Sequence, residues 1–171
     1  MQPLVLEDKM KKGLQVYHIT WVTHNSRVSE RMVEFVVKHG EPLLLDDEQE
    51  KEITTYILQI TKEDSLRVLA YNICRDHIHM ILVCEEQERE NIIRKLKGKT
   101  AQLYKDNHSI KDEFHLWAQK YSWTVIKDEE QIFNTNNYIQ YNREKHKLLG
   151  NKGLQPLVAD MLIHFSKAFG E

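Results

Sequence analysis

A chain of 171 residues with 41% hydrophobic and 29% charged side chains is long enough for one domain with a proper core and short for two. It has no run approaching the ~20 apolar residues of a membrane span, and residues 1–12 lack the apolar stretch of a secretory signal, so a cytoplasmic protein without a membrane partner is expected. Lys and Arg number 24 against 26 Asp and Glu, a formal charge of −2, which excludes the overall basic character behind non-specific DNA binding and shifts attention to local charge.

Residues 14–23 carry the β-formers Val16, Tyr17, Ile19, Trp21 and Val22 and end at the turn-like Asn25-Ser26, which predicts a first strand. Ser29 with Met32, Val33, Phe35, Val36 and Val37 predicts a short helix stopped at Gly40. Asp46 and Asp47 open a longer helix, with Ile53, Tyr56, Ile57 and Ile60 at helical spacing. Residues 65–73 and 77–83 predict two strands joined at Arg75-Asp76 as an antiparallel pair. Ile92, Ile93, Leu96 and Leu103 stripe a helix over residues 87–105; a strand over 121–126 and a helix over 128–147 follow. This order gives an α+β fold whose antiparallel sheet is covered on one side, and a ferredoxin-like core is inferred. Gly150-Asn151-Lys152-Gly153 then breaks the chain, dividing a main domain over residues 1–150 from a tail over 151–171. In the tail, Leu154, Leu157, Val158, Met161, Leu162, Phe165 and Phe169 predict one amphipathic helix with Pro156 in its first turn.

Two histidines one residue apart stand in the apolar run Asp76-His77-Ile78-His79-Met80-Ile81-Leu82-Val83. Alternation along a strand puts His77 and His79 on one face and Ile78 and Met80 on the other, so the imidazoles form half of a site for a divalent cation. On an unbroken strand Cys74 and Cys84 both point away from the histidines, and buried thiols are expected in preference to zinc or a disulfide. Further along, Tyr138 and Asn142 are four residues apart and share a helical face. If that helix crosses the histidine face, His77, His79 and Asn142 would surround a metal with Tyr138 beside it as a nucleophile. Tyr141 is a competing phenol, but residue 145, four beyond it, is Lys instead of an amide. His18, His24, His115 and His146 are isolated in sequence and are expected in surface or structural roles. Imidazole with amide oxygen suits Mg²⁺ or Mn²⁺ in a nuclease role better than zinc.

His-hydrophobic-His on a strand followed by Tyr-x-x-x-Asn on a later helix resembles the single-tyrosine HUH transposases, the insertion-sequence-200-like group, and within it the REP-associated tyrosine transposases. Tyr17-His18-Ile19-Thr20-Trp21, Thr23-His24-Asn25-Ser26-Arg27 and Val125-Ile126-Lys127-Asp128-Glu129-Glu130 extend the match, which runs from about Tyr17 to His146. Asn142 is followed by Arg143 where family members often carry Pro. The resemblance implies that residues 1–150 form the catalytic domain. It also implies cleavage and strand transfer of single-stranded DNA, often at a hairpin, through a 5′-phosphotyrosine and a free 3′-hydroxyl. The wider family includes dimers that exchange the tyrosine helix, while the REP-associated branch is monomeric, so either a monomer or a homodimer is expected.

Local charge supplies candidate DNA contacts. Arg94, Lys95, Lys97, Lys99 and Lys105 lie in a stretch with no acidic residue, and Arg143 and Lys145 begin a second basic region just past the tyrosine. The competing functions are a non-cutting DNA- or RNA-binding domesticated relative, whose binding would survive His77→Ala, and a small-molecule metallohydrolase, whose turnover would survive Tyr138→Phe.

Overall fold

The computed structural model of the chain describes residues 13–27, 30–38 and 40–169; the N-terminal segment through Lys12 and the predicted helix start at Ser29 lie outside the described residues. Four strands, β1 (Leu14–Val22), β2 (Arg67–Cys74), β3 (His77–Glu85) and β4 (Ser122–Ile126), form one sheet in the order β2-β3-β1-β4, with every neighbouring pair antiparallel. The helices are α1 (Glu30–Glu34), α2 (Asp47–Glu63), α3 (Glu86–Asn107), α4 (Glu129–Gln140), α5 (Asn142–Lys145), α6 (Leu154–Met161) and α7 (Phe165–Ala168). An α+β architecture with an antiparallel sheet is therefore what the chain adopts. Among the described residues no helix is long and apolar enough to cross a membrane.

The expected one-sided cover is corrected: helices pack on both faces. The cause lies in β3, which has apolar residues at both parities and is buried from His77 through Cys84. Ile78, Met80, Leu82 and Cys84 enter the larger core with Tyr17, Ile19 and Trp21 of β1, Ile53, Ile57 and Ile60 of α2, and Ile93 and Leu96 of α3. Ile81 and Val83 point the other way, into a smaller core with Val16, Ala70, Ile126 and Ile139 of α4, and with Ala168 and Phe169. Asp46 starts α2 with a reciprocal capping box: its carboxylate accepts from Gln49 N at 2.8 Å, and Gln49 Oε1 accepts from Asp46 N at 2.9 Å.

The two-residue turn pairs Cys74 with His77 and Asn72 with His79, and a bulge further up β2 sets which core the start of that strand enters. Val68 pairs with Leu82 and Ala70 with Ile81, so Leu69 is extra and the residues beyond it change face. Val68 accordingly packs in the larger core and Ala70 in the smaller. Asn72 and Cys74 follow Ala70 by alternation and come onto the same face as His77 and His79.

The single tail helix is also corrected. Leu162 is extended (φ −77°, ψ 141°) and Ile163 N donates to Val68 O at 3.0 Å, so the chain turns across β2 between α6 and α7. Leu154 and Met161 of α6 join the larger core, whereas Ala168 and Phe169 join the smaller. Sequence periodicity marked one apolar arc; only the presence of two cores separates its halves.

Candidate active site

His77 and His79 open β3, 1% and 6% exposed, on the side of the sheet that carries α4. The two-residue turn Arg75-Asp76 places Asp76 Oδ1 2.6 Å from His77 Nδ1. An ionised carboxylate only accepts hydrogen bonds, so Nδ1 carries the proton and, in the neutral ring, Nε2 presents a lone pair. The bond from His77 holds the Asp76 carboxyl below its ordinary range. His79 is fixed from β1: Thr20 is its register partner, and Nδ1 lies 2.9 Å from Thr20 Oγ1 and 2.9 Å from His18 Nε2. Burial, with added repulsion from His77 and His18, pushes His79 down to about 3, and burial lowers His18 as well. His79 is thus neutral at pH 7, the form that binds cations.

The helix predicted over residues 128–147 is interrupted at Tyr141 (φ −90°, ψ 8°), which ends α4 and precedes α5. Asp128 caps α4 by accepting from Gln131 N at 2.8 Å. At the other end Asn72 Nδ2 donates to the Ile139 carbonyl at 2.8 Å, meeting one of the carbonyls a helix terminus leaves open. Arg143 pins α5: Nη1 bonds Glu50 Oε2 at 2.6 Å and Ile73 O at 3.0 Å, and Nε bonds Leu149 O at 3.0 Å. Glu50 is fully buried, and burial raises its carboxyl above the ordinary range against the opposing pull of Asn151 and Arg143.

With the helix end held in this way, Asn142 is fully buried, and its Nδ2 lies 2.8 Å from His77 Nε2 and 3.3 Å from Cys74 Sγ. Asn142 Oδ1 is buried with no hydrogen-bond partner, an uncommon state for a native polar atom. One turn earlier Tyr138 is 39% exposed, its ring centroid 5.3 Å from that of His79 and 6.1 Å from that of His18, both edge to face. Lys145 Nζ lies 3.5 Å from Tyr138 Oη and 4.7 Å from the ring centroid.

His77, His79, Tyr138, Asn142 and Lys145 therefore come together, and the other residues proposed from the sequence as DNA contacts do not. Arg94, Lys95, Lys97, Lys99 and Lys105 lie on α3, which packs on the opposite face of the sheet. Lys97 Nζ bonds the carbonyls of Ala118, Gln119 and Lys120 at 2.7, 2.9 and 3.1 Å. Lys95 pairs with Asp64 and Lys99 with Glu63, both at 2.6 Å, while Arg94 Nη2 bonds Asn91 Oδ1 at 2.6 Å. Arg143 is occupied in the buried ion pair with Glu50.

Sequence reasoning missed several residues around the site. Cys74 was expected to point away from the histidines, yet the hairpin pairs it directly with His77, so it faces Asn142; counting along an unbroken strand fails across a two-residue turn. His18 and Asn72 needed the strand register to be found. His146, one turn past Asn142, stacks edge to face on His77 with centroids 4.9 Å apart; its helical spacing from Tyr138 and Asn142 was the available signal. Among the described residues no group of three or more His, Cys, Asp and Glu side chains could hold a metal ion, so a cation between these histidines would require the Asn142 amide.

The family model for IS200-like transposases matches residues 12–142. Two solved structures share the fold. One, a REP-associated tyrosine transposase bound to a REP hairpin, has TM-score 0.54 and 14% identity and covers 79% of this chain and 70% of that one. The other, a candidate transposase from Deinococcus radiodurans R1, has TM-score 0.52 and 19% identity over 74% of this chain and 89% of that one. A search of curated proteins finds no match. With a family model spanning most of its length and this fold, the chain belongs to the IS200-like transposases.

Proposed function

We propose that the protein is a metal-dependent endonuclease and strand transferase for single-stranded or hairpin DNA, with Tyr138 as nucleophile. The observation that carries this reading is the meeting of three parts of the chain: Tyr138 beside His79 with ring centroids 5.3 Å apart, and Asn142 2.8 Å from His77. His77, His79 and Asn142 would hold Mg²⁺ or Mn²⁺. The unpartnered, buried Oδ1 of Asn142 and the separation of 2.8 Å between His77 Nε2 and the amide support the fit. Rotating the amide by half a turn brings its oxygen to that position, and adjacent donors of an octahedral ion with bonds of ~2.1 Å lie about 3 Å apart. When bound, the ion would polarise a phosphate oxygen and neutralise developing charge.

The chain's own residues do the rest. Asp76 fixes the tautomer and orientation of His77, and His18 and Thr20 fix His79, as carboxylates and hydrogen-bonding neighbours do for ligating imidazoles. Tyr138, partly exposed at the edge of the site, attacks a phosphodiester and keeps the bond energy in a 5′-phosphotyrosine, so a DNA hydroxyl can later displace it without ATP. One chain supplies all four groups, so a monomer suffices. The REP-associated transposase that shares this fold was solved with a hairpin, which supports hairpin DNA as the partner. Incubation of labelled hairpin DNA carrying a single-stranded flank, with Mn²⁺, tests the reading. A denaturation-resistant adduct should form with the wild type and be absent in Tyr138→Phe; an equal adduct in the mutant would reject Tyr138.

A further inference from the structure

Lys145 stands in a basic run that invites assignment as a phosphate contact, but its ammonium reaches the phenol oxygen of Tyr138. Its Nζ lies 3.5 Å from Tyr138 Oη and 4.7 Å from the ring centroid. Lys145 follows Tyr138 by seven residues, about two helical turns, and so returns to the same side of the segment formed by α4 and α5. The lysines of α3 show the contrast: Lys95, Lys97 and Lys99 are paired to carboxylates or carbonyls on the other side of the sheet.

Resting on the function proposed above, we propose that Lys145 is a catalytic residue whose ammonium stabilises charge on the Tyr138 oxygen when that oxygen attacks DNA and again when it departs. In cleavage the Oη–P bond forms and the P–O3′ bond breaks. The phenolic proton passes to water at the exposed edge of the ring, and the departing 3′-oxygen takes a proton from water. In strand transfer a DNA 3′-hydroxyl forms the new O–P bond and loses its proton to water, while the Tyr138 oxygen leaves and is reprotonated by water. Lys145 keeps its protons throughout and acts through its charge. Its position over the ring also restrains the phenol by a cation–π contact.

A phosphate contact and a stabiliser of the tyrosine oxygen separate experimentally. Losing a phosphate contact weakens binding and reduces the salt slope; losing a stabiliser slows the step at saturation. Single-turnover adduct formation should be measured for wild type, Lys145→Met and Lys145→Arg at saturating hairpin DNA with Mn²⁺, beside Kd and its salt dependence. We expect Lys145→Met to slow the saturated rate about tenfold, less than for an enclosed oxyanion donor because Lys145 is exposed and screened. Lys145→Arg should recover most of the rate, with Kd and salt slope unchanged. A full saturated rate in Lys145→Met, or a loss confined to Kd and salt slope, overturns the proposal. The second arm uses no DNA and no metal: the Tyr138 ¹³Cζ resonance should move in Lys145→Met and stay in Lys152→Met, and an unmoved resonance overturns the contact. Failure of the nuclease reading looks different, as wild type and Tyr138→Phe would then behave alike while the resonance still tests the contact between Lys145 and Tyr138.

Discussion

Asn142 Nδ2 lies 2.8 Å from His77 Nε2, a buried contact between the first residue of α5 and the first residue of β3. Three supports converge on it. Asp76 orients the ring, the Arg75-Asp76 turn brings Cys74 against the amide, and Arg143, the residue after Asn142, is anchored to Glu50. A misplacement of about 1 Å costs a site of this kind much of its activity, so these supports matter as much as the candidate ligands.

Asp76→Asn should weaken Mn²⁺ binding about 10- to 100-fold, because the amide can no longer hold His77 with Nδ1 protonated as firmly as a carboxylate does. Titration calorimetry with Mn²⁺ alone measures it. Unchanged affinity would remove Asp76 from the site's support.

Arg143→Met should destabilise the fold by about 3–5 kcal/mol in urea unfolding, since it strands a fully buried Glu50 without its partner. The double variant with Glu50→Gln should regain a large part of that loss. If the single substitution is neutral, the ion pair does not anchor α5.

Stability should fall as acid is added through the histidine range. His79 is pushed down to about 3 in the folded state from an ordinary value of 6.5, and His18 and His146 are lowered too. Between those limits the unfolded chain binds more protons, so stability is fully present above about pH 6.5 and drains as pH falls toward 3. A single such group contributes a slope of up to about 1.4 kcal/mol per pH unit. Urea midpoints from pH 4 to 7 in chelator should show the slope, and His79→Gln should flatten it; an identical slope in the variant would contradict the burial argument.

Lys97→Met should lower stability by about 1–3 kcal/mol, because three backbone carbonyls lose their donor. It should leave the salt dependence of DNA binding as it is in the wild type. A reduced slope would show that Lys97 reaches DNA after all.

Much of the scaffold was legible in the sequence because it rests on local rules. The strand over residues 14–23, the helix opening at Asp46-Asp47 and the paired strands around Arg75-Asp76 all emerge within a residue or two of their predicted places. The second apolar face was legible too, in Ile81 and Val83, although cover on one side of the sheet was the expectation. The α3 lysines illustrate the opposite case. Their spacing marked a basic helix, but Asp64, Glu63 and the carbonyls of residues 118–120 come to them only through folding.

The sequence by itself determined that His77 and His79 share a strand face and that Tyr138 and Asn142 share a helix face, since each follows from a fixed backbone repeat. Tertiary structure alone decided that the two faces meet, that Cys74 turns toward them, and that Arg143 holds structure while Lys145 reaches the phenol. Those outcomes depend on the docking of α4 on the sheet, the pairing of Cys74 with His77 and a buried charge at Glu50. None of the three has a periodic signature, because each is set by what packs against it.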